Sequence, residues 1–188
     1  MAVTDPPGAS EGTRGVGLLV GLLLMGAAVS VALGVYGGLH EPTFEPITTF
    51  GFAELFDMKA WFTTAAATLA LVQLATALRM YGRIGKGPAS AAVGVTHRVS
   101  GLLAVLVSLP VGFHCLWSLG FQQYDARVLA HSLLGCAFYG LFVTKMLVLR
   151  SSRLPGWALP LLGGLVFTVL VALWWTSAFW FFAYYEPH

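Results

Sequence analysis

THRVSGLLAVLVSLPVGFHCLWSL, from Thr96 to Leu119, contains one arginine and no acidic residue. A transmembrane α-helix needs about 20 mostly apolar residues, so this stretch predicts a membrane span. It also places His97 at one end and His114 near the other. Burying an imidazole without partners costs about 1–3 kcal/mol. These rings therefore either bind a ligand or are hydrogen-bonded within the fold.

The composition of the whole chain indicates a protein that lies in a lipid membrane. Of the 188 residues, 57% are hydrophobic and 10% are charged, and the mean hydropathy is +0.80. Soluble domains carry about 25% charged residues. The net charge of +2 and the lack of a basic cluster give no indication of a nucleic-acid partner. The predicted surroundings are therefore a lipid bilayer.

Hydropathy divides the chain into a short tail and a single transmembrane domain. The first fourteen residues are polar and rich in helix breakers, which predicts a disordered cytoplasmic tail over 1–14 and a membrane domain over 15–188. The first span is longer than the apolar part of a signal peptide and lacks a basic lead-in, so it is read as uncleaved. The prediction is an all-α, polytopic bundle of five transmembrane helices over residues 16–38, 58–80, 96–119, 128–149 and 157–184.

The lysines and arginines predict the orientation of the bundle. With a cytoplasmic N-terminus, eight of the ten Lys and Arg residues lie in cytoplasmic loops or at cytoplasmic helix ends. Only Lys59 and Arg127 then lie on the outer side. The positive-inside rule is thus obeyed, with the N-terminus in the cytoplasm and the C-terminus outside.

Two histidines are expected at the same depth in the membrane. The third and fourth spans form a hairpin whose turn centres near the Gln122–Gln123 bond, and His114 and His131 are equally far from it. At 1.5 Å per residue, each lies roughly two helical turns below the outer surface. Ionisable groups inside a membrane are functional candidates by default.

Neutral imidazoles in an apolar site are typical axial ligands of haem iron, so haem b is the predicted cofactor and His114 and His131 are its predicted metal ligands. A flat macrocycle also needs backbone without side chains, which Gly112 and Gly135 provide. Two aromatic residues on the face of the fourth span that carries His131 are predicted to line the cofactor. They are Phe138 and Phe142.

Helix spacing limits this arrangement. Helices packed 8–10 Å apart leave no room for a porphyrin between them. A direct sandwich needs a splayed hairpin, and Pro110 is the candidate kink. Otherwise each histidine has another partner, and His40, His188 or a second copy of the chain are the alternatives.

A second candidate pocket lies at the cytoplasmic boundary. His97, Arg98 and Ser100 open the third span, and Lys145 lies at a similar depth on the fourth. Such a cationic cluster suits a quinone carbonyl or an anionic lipid head group. The alternative is that Arg98 and Lys145 extend to the interface as anchors.

Two short motifs resemble those of a known family. HRVSG, His97 to Gly101, resembles the HRxSG stretch of the cytochrome b anchor subunit of succinate dehydrogenase, and HSLLG, His131 to Gly135, resembles its HxxxG stretch. The first resemblance implies that Arg98 borders a quinone site with His97 beside it, and the second that His131 is a haem ligand. The chain differs from that family at Gly94, where the family has serine, and in having five spans instead of three.

The overall layout also resembles a bacterial membrane family of unassigned function, which implies a multi-pass protein of the bacterial inner (plasma) membrane. The predicted function is that of a b-type cytochrome-like protein carrying electrons between an outer partner and a quinone or a partner subunit, as part of an oxidoreductase or a homo-oligomer. The alternative is a cofactor-free membrane subunit or scaffold. Cys115 and Cys136 match no metal-binding spacing and are read as small core residues.

Overall fold

A computed structural model describes the backbone of residues 7–184 and the side chains of residues 15–184. Within these residues every regular element is helical. Five helices are long and apolar enough to cross a membrane, which confirms the predicted all-α fold with five spans. The membrane-spanning ranges are Gly15–Leu39, Leu55–Met80, Ala91–Leu119, Ala126–Leu149 and Ala158–Tyr184.

The helices have the following bounds: α1 Pro7–Leu39, α2 Leu55–Met80, α3 Ala91–His114, α4 Ala126–Val148, α5 Ala158–Trp174 and α6 Trp180–Tyr184. A π-helical turn, Cys115–Leu119, continues α3, and another, Trp175–Phe179, joins α5 to α6. Of the predicted tail, residues 1–6 lie outside the described residues, and α1 already begins at Pro7. Proline is common in the first turn of a helix, because its missing N–H has no partner there in any case.

The end of the bundle with the connections 40–54 and 120–125 is called the outer end, following the predicted orientation, and the opposite end is called the inner end. At the outer end, α4 begins where Asp125 Oδ1 accepts a hydrogen bond from Val128 N at 2.7 Å. This is an N-cap, which satisfies a free backbone donor. The preceding turn contains Gly120 at φ 69°, a left-handed conformation that glycine adopts without strain.

The helices pack in an order that differs from their order in the chain. α1 packs against α4, α4 against α5, α5 against α2, and α2 against α3. α3 and α4 follow each other in the chain but do not pack along their length. The predicted hairpin is therefore splayed, with α3 packed against α2 and α4 packed against α1 and α5.

Close packing of small residues holds α1 to α4. A Cβ on Gly26 would lie 2.5 Å from the Gly140 carbonyl oxygen, and a Cβ on Gly140 would overlap the Gly26 carbonyl oxygen. Thr144 Oγ1 also lies 3.3 Å from Leu22 O across the same seam. Small residues that let backbones approach closely are a main source of helix association in membranes. This seam fixes α4, and with it His131, relative to α1.

A buried apolar cluster joins α2, α4 and α5 in the middle of the bundle. Its members are Ala66, Ala70, Phe138, Leu170 and Leu173. A second cluster at the inner end joins α1, α4 and α5, and consists of Leu19, Val148, Ala158 and Leu162. α3 contributes to neither cluster. The space between α3 and α4 is therefore left open toward the outer end.

Candidate functional site

A cavity of about 480 Å³ lies between α3 and α4 in the outer half of the bundle. Pockets for small molecules and cofactors typically measure about 300–1,000 Å³ and are mostly apolar with a few polar groups. This cavity fits that description, because its lining is largely aliphatic, aromatic and glycine residues. The polar side chains along its wall include Lys59, Arg127, His131 and Thr176.

His131 is hydrogen-bonded at Nδ1 to a hydroxyl of the span opposite. Its Nδ1 lies 3.0 Å from Thr176 Oγ1, and that hydroxyl also lies 2.9 Å from Ala172 O and 3.2 Å from Leu173 O. When the hydroxyl donates to one of these carbonyls, the imidazole N–H at Nδ1 is the donor to the hydroxyl oxygen. In that tautomer Nε2 keeps its lone pair, and no described residue hydrogen-bonds to it. An imidazole oriented through Nδ1 with a free Nε2 is the arrangement found in metal-ligating histidines.

The surface beside His131 is open. Gly135 lies one turn further along α4 and lines the cavity, and a Cβ there would meet nothing within 4 Å. Phe138 also lines the cavity and is 4% exposed. Phe142, which was predicted to line the cofactor with them, is not among the lining residues. The structure therefore brings His131, Gly135 and Phe138 to one wall of the cavity.

His114 lies on the other side of α3. It is 1% exposed and borders a separate shallow groove formed with Phe50 and neighbouring α3 residues. At 3.6 residues per turn, it points roughly 130° away from the α3 residues that line the cavity. The structure thus does not bring His114 and His131 into one slot, although both belong to the outer half of the bundle.

The tautomer of His114 is also fixed. Its Nδ1 lies 2.8 Å from Pro110 O, and a carbonyl oxygen can only accept. Nε2 therefore carries a lone pair, and it is buried without a partner among the described residues. Ser118 Oγ, one turn later, is likewise buried and unpartnered in the described chain. Pro110 thus contributes a carbonyl acceptor to His114, beside its predicted role as a kink.

Gly112 makes room for a tyrosine. A Cβ on Gly112 would lie 2.7 Å from the ring of Tyr139, whose hydroxyl donates to Ser108 O at 2.8 Å. The sequence predicts a cofactor over Gly112. The flat ring that packs there in the structure is the Tyr139 side chain of α4. Tyr139 crosses the gap between α3 and α4 at the inner end of the cavity and limits its depth.

Both π-helical turns adjoin these histidines. The first follows His114 directly, and the second contains Thr176, the partner of His131. The Thr176 carbonyl also accepts a hydrogen bond from Arg127 Nη1 at 2.8 Å. π-helical turns occur frequently at functional sites. The Trp175–Phe179 turn therefore bonds two α4 side chains, His131 through the Thr176 hydroxyl and Arg127 through the Thr176 carbonyl.

The predicted pocket at the inner end is largely a helix contact. Gln73 Nε2 donates to His97 O and, at 2.9 Å, to Ser100 Oγ. His97 Nδ1 bonds Thr76 Oγ1 at 2.9 Å, and Gly101 makes the room that Gln73 occupies. The HRVSG motif thus joins α3 to α2.

Two cations of that inner cluster lie apart from this contact. Arg98 is exposed, and Lys145 is half-buried on α4. Neither makes an ion pair with a carboxylate among the described residues.

The remaining candidates have structural partners. His40 Nε2 donates to Trp117 O at 3.0 Å, and its ring stacks between Tyr36 and Trp117. His188 lies outside the described residues. Both cysteines are free and line the cavity. In the described part of the chain, no three His, Cys, Asp or Glu side chains group together to hold a metal ion.

Sequence reasoning missed the site residues contributed by α2 and by the π-helical turn Trp175–Phe179. Thr176 has no signature of its own, because a threonine in a membrane helix usually bonds its own backbone. Lys59 and Arg127 did carry a signal, since they are the two basic residues on the outer side. The structure places both at the cavity.

Comparison with known families gives one result. A model of a family of unknown function, DUF6529, matches residues 18–187. The chain belongs to this family. The match covers all five spans of the DUF6529 chain and therefore the whole cavity. Comparisons with curated proteins and with solved structures each found no match.

Proposed function

We propose that this protein is a b-type cytochrome-like electron carrier that holds haem b in the outer cavity through His131. The observation that carries this proposal is the His131 imidazole, oriented by Thr176 and presenting a free Nε2 in an apolar cavity of about 480 Å³. Haem iron is commonly held by a histidine nitrogen in such surroundings. Bound haem would supply one-electron transfer between the ferric and ferrous states.

The residues present fit haem with one imidazole from this chain. Gly135 leaves free space beside His131, and Phe138 forms part of an apolar wall. His114 faces away from this cavity, and we therefore do not assign it as a second ligand. A second ligand to the iron would come from another residue, a partner subunit or a second copy of the chain.

The cavity lies near the outer end, so we propose that electrons are exchanged with a partner on that side. The distribution of Lys and Arg supports an N-terminus in the cytoplasm, and we place the protein in the bacterial plasma membrane as part of this proposal. A quinone or a partner subunit completes the electron path in this proposal. His97 and Ser100 are engaged with α2, and therefore we assign no quinone ligand among them.

The absorption spectrum of the purified protein tests this proposal. Protein expressed with haem supplementation should show a Soret band that shifts on reduction with dithionite. His131→Ala should abolish the band, and added imidazole should restore it by occupying the space that the side chain leaves. His114→Ala is the matched control and should keep the band, because that ring lies outside the cavity. Loss of the band in His114→Ala but not in His131→Ala would reverse the assignment.

The competing function is that of a cofactor-free membrane subunit. His40 and His97 favour it, because both join helices through hydrogen bonds to neighbouring groups. Colourless wild-type protein after haem-supplemented expression would support this alternative and overturn the haem proposal.

A further inference from the structure

A buried lysine that has no carboxylate partner among the described residues lies at the outer mouth of the cavity. Lys59 on α2 is 9% exposed and lines the cavity wall. Its Nζ lies 5.5 Å from the centre of the Phe56 ring, and no carboxylate among the described residues lies within ion-pair distance of it. A buried cation is costly unless an anion compensates it.

A second cation lines the same cavity from α4. Arg127 on α4 donates to Thr176 O and stacks 4.0 Å from the centre of the Trp180 ring, so its guanidinium is held in place. Its ion pair with Asp125 is long, at 3.9 Å, and both side chains are partly exposed. Such a pair contributes little and leaves donors available to a ligand.

These two residues are also the exceptions to the charge distribution of the chain. The other Lys and Arg residues lie on the predicted cytoplasmic side, where they act as anchors. Lys59 and Arg127 lie on the predicted outer side, and both line one apolar cavity. The positive-inside rule does not explain why these two cations line the same cavity.

We propose that an anionic group, a carboxylate or a phosphate, of an amphipathic ligand is bound between Lys59 and Arg127 while the apolar body of the ligand fills the cavity. Charge-assisted hydrogen bonds from Lys and Arg to carboxylates and phosphates are the strong ones in proteins. The anion has two candidate sources. If the proposed function holds, the two carboxylates of haem provide it, and otherwise the head group of an anionic lipid does.

The test compares Lys59→Met with wild type, because methionine keeps most of the apolar stem and removes the charge. Lys86→Met is the matched control, since Lys86 is an exposed lysine in the inner-end loop. Haem titration of the purified variants gives one readout, with the reduction potential as a second. Native mass spectrometry after exchange into nanodiscs of phosphatidylglycerol or phosphatidylcholine gives the third.

With haem as the ligand, Lys59→Met should bind it about tenfold more weakly or worse and should lower its reduction potential, because a positive charge near the iron is removed. With a lipid as the ligand, the wild type is colourless but retains one phosphatidylglycerol, and Lys59→Met loses it. That second result supports the anion site while overturning the haem function.

Lys59→Arg keeps the charge and should restore binding in either case, which guards against a variant that simply misfolds. Equal binding of haem and of phosphatidylglycerol by wild type, Lys59→Met and Lys86→Met would overturn the anion site. So would an equal loss in Lys59→Met and Lys86→Met.

Discussion

Gly135→Leu should block the cavity without unfolding the protein. A Cβ at this position meets nothing within 4 Å, so the leucine side chain extends into free space beside His131. The unfolded state of a membrane protein keeps its helices and its apolar side chains are already solvated by lipid. The change in folding free energy should therefore be within about 1 kcal/mol, or about 2–4 °C in Tm for a chain of this size.

The effect on ligand binding should be larger. Forcing a ligand against added side-chain atoms in a packed site costs about 1–3 kcal/mol. At 1.4 kcal/mol per factor of ten, haem binding by Gly135→Leu should weaken about 5- to 150-fold. The predicted signature is thus a nearly unchanged Tm together with a loss of the Soret band.

Gly140→Leu is the matched control, since it lies on the same helix and carries the same replacement. A Cβ there would lie 3.1 Å from the carbonyl carbon of Gly26 and overlap its oxygen, and a backbone atom cannot move aside cheaply. Overpacking of about 1–3 kcal/mol or more should lower Tm by roughly 2–12 °C. Scanning fluorimetry in detergent measures Tm, and the Soret absorbance per chain measures haem. The reasoning is refuted if Gly135→Leu binds haem like wild type, or if it melts as early as Gly140→Leu.

Three further substitutions test other contacts. Thr176→Val removes the hydroxyl that is hydrogen-bonded to His131 Nδ1 and should weaken haem binding about 10- to 100-fold, whereas Thr168→Val, at an exposed threonine of the same membrane span, should not. Gln73→Leu removes two bonds between α2 and α3, each worth about 0.6 kcal/mol in membranes, and should lower Tm by a few degrees with the Soret band unchanged. His40→Ala removes a hydrogen bond and two stacked rings at the outer end, and a fall in Tm without loss of haem is expected in the same two assays.

The sequence predicts the helices and the depth of a residue well, because both depend on local quantities. Hydropathy over about 20 residues locates a span, and the rise per residue converts a distance from the turn into a depth. The five predicted spans agree with the structure to within a few residues. Depth alone, however, does not decide which residues share a cavity.

The direction in which a side chain points depends on which helices pack together, and that is a long-range property. The short turn between α3 and α4 predicts a hairpin, but it does not determine whether the two helices pack along their length. In the structure the Gly26–Gly140 seam binds α4 to α1, and Gln73 binds α3 to α2. The hairpin opens between these attachments, and its two histidines face different surroundings. No local pattern in the chain specifies these pairings.

Basic residues that do not follow the positive-inside rule can therefore indicate a binding site better than a sequence motif does. HRVSG resembles a quinone-site motif, yet its histidine and serine join two helices through Gln73. Lys59 and Arg127 match no motif, yet they are the two cations that the positive-inside rule does not explain, and both line the cavity. Placing a cation there has a cost in burial that membrane orientation does not require. The proposed ligand with an anionic end would give that cost a physical reason, and it would place the functional centre at the outer end.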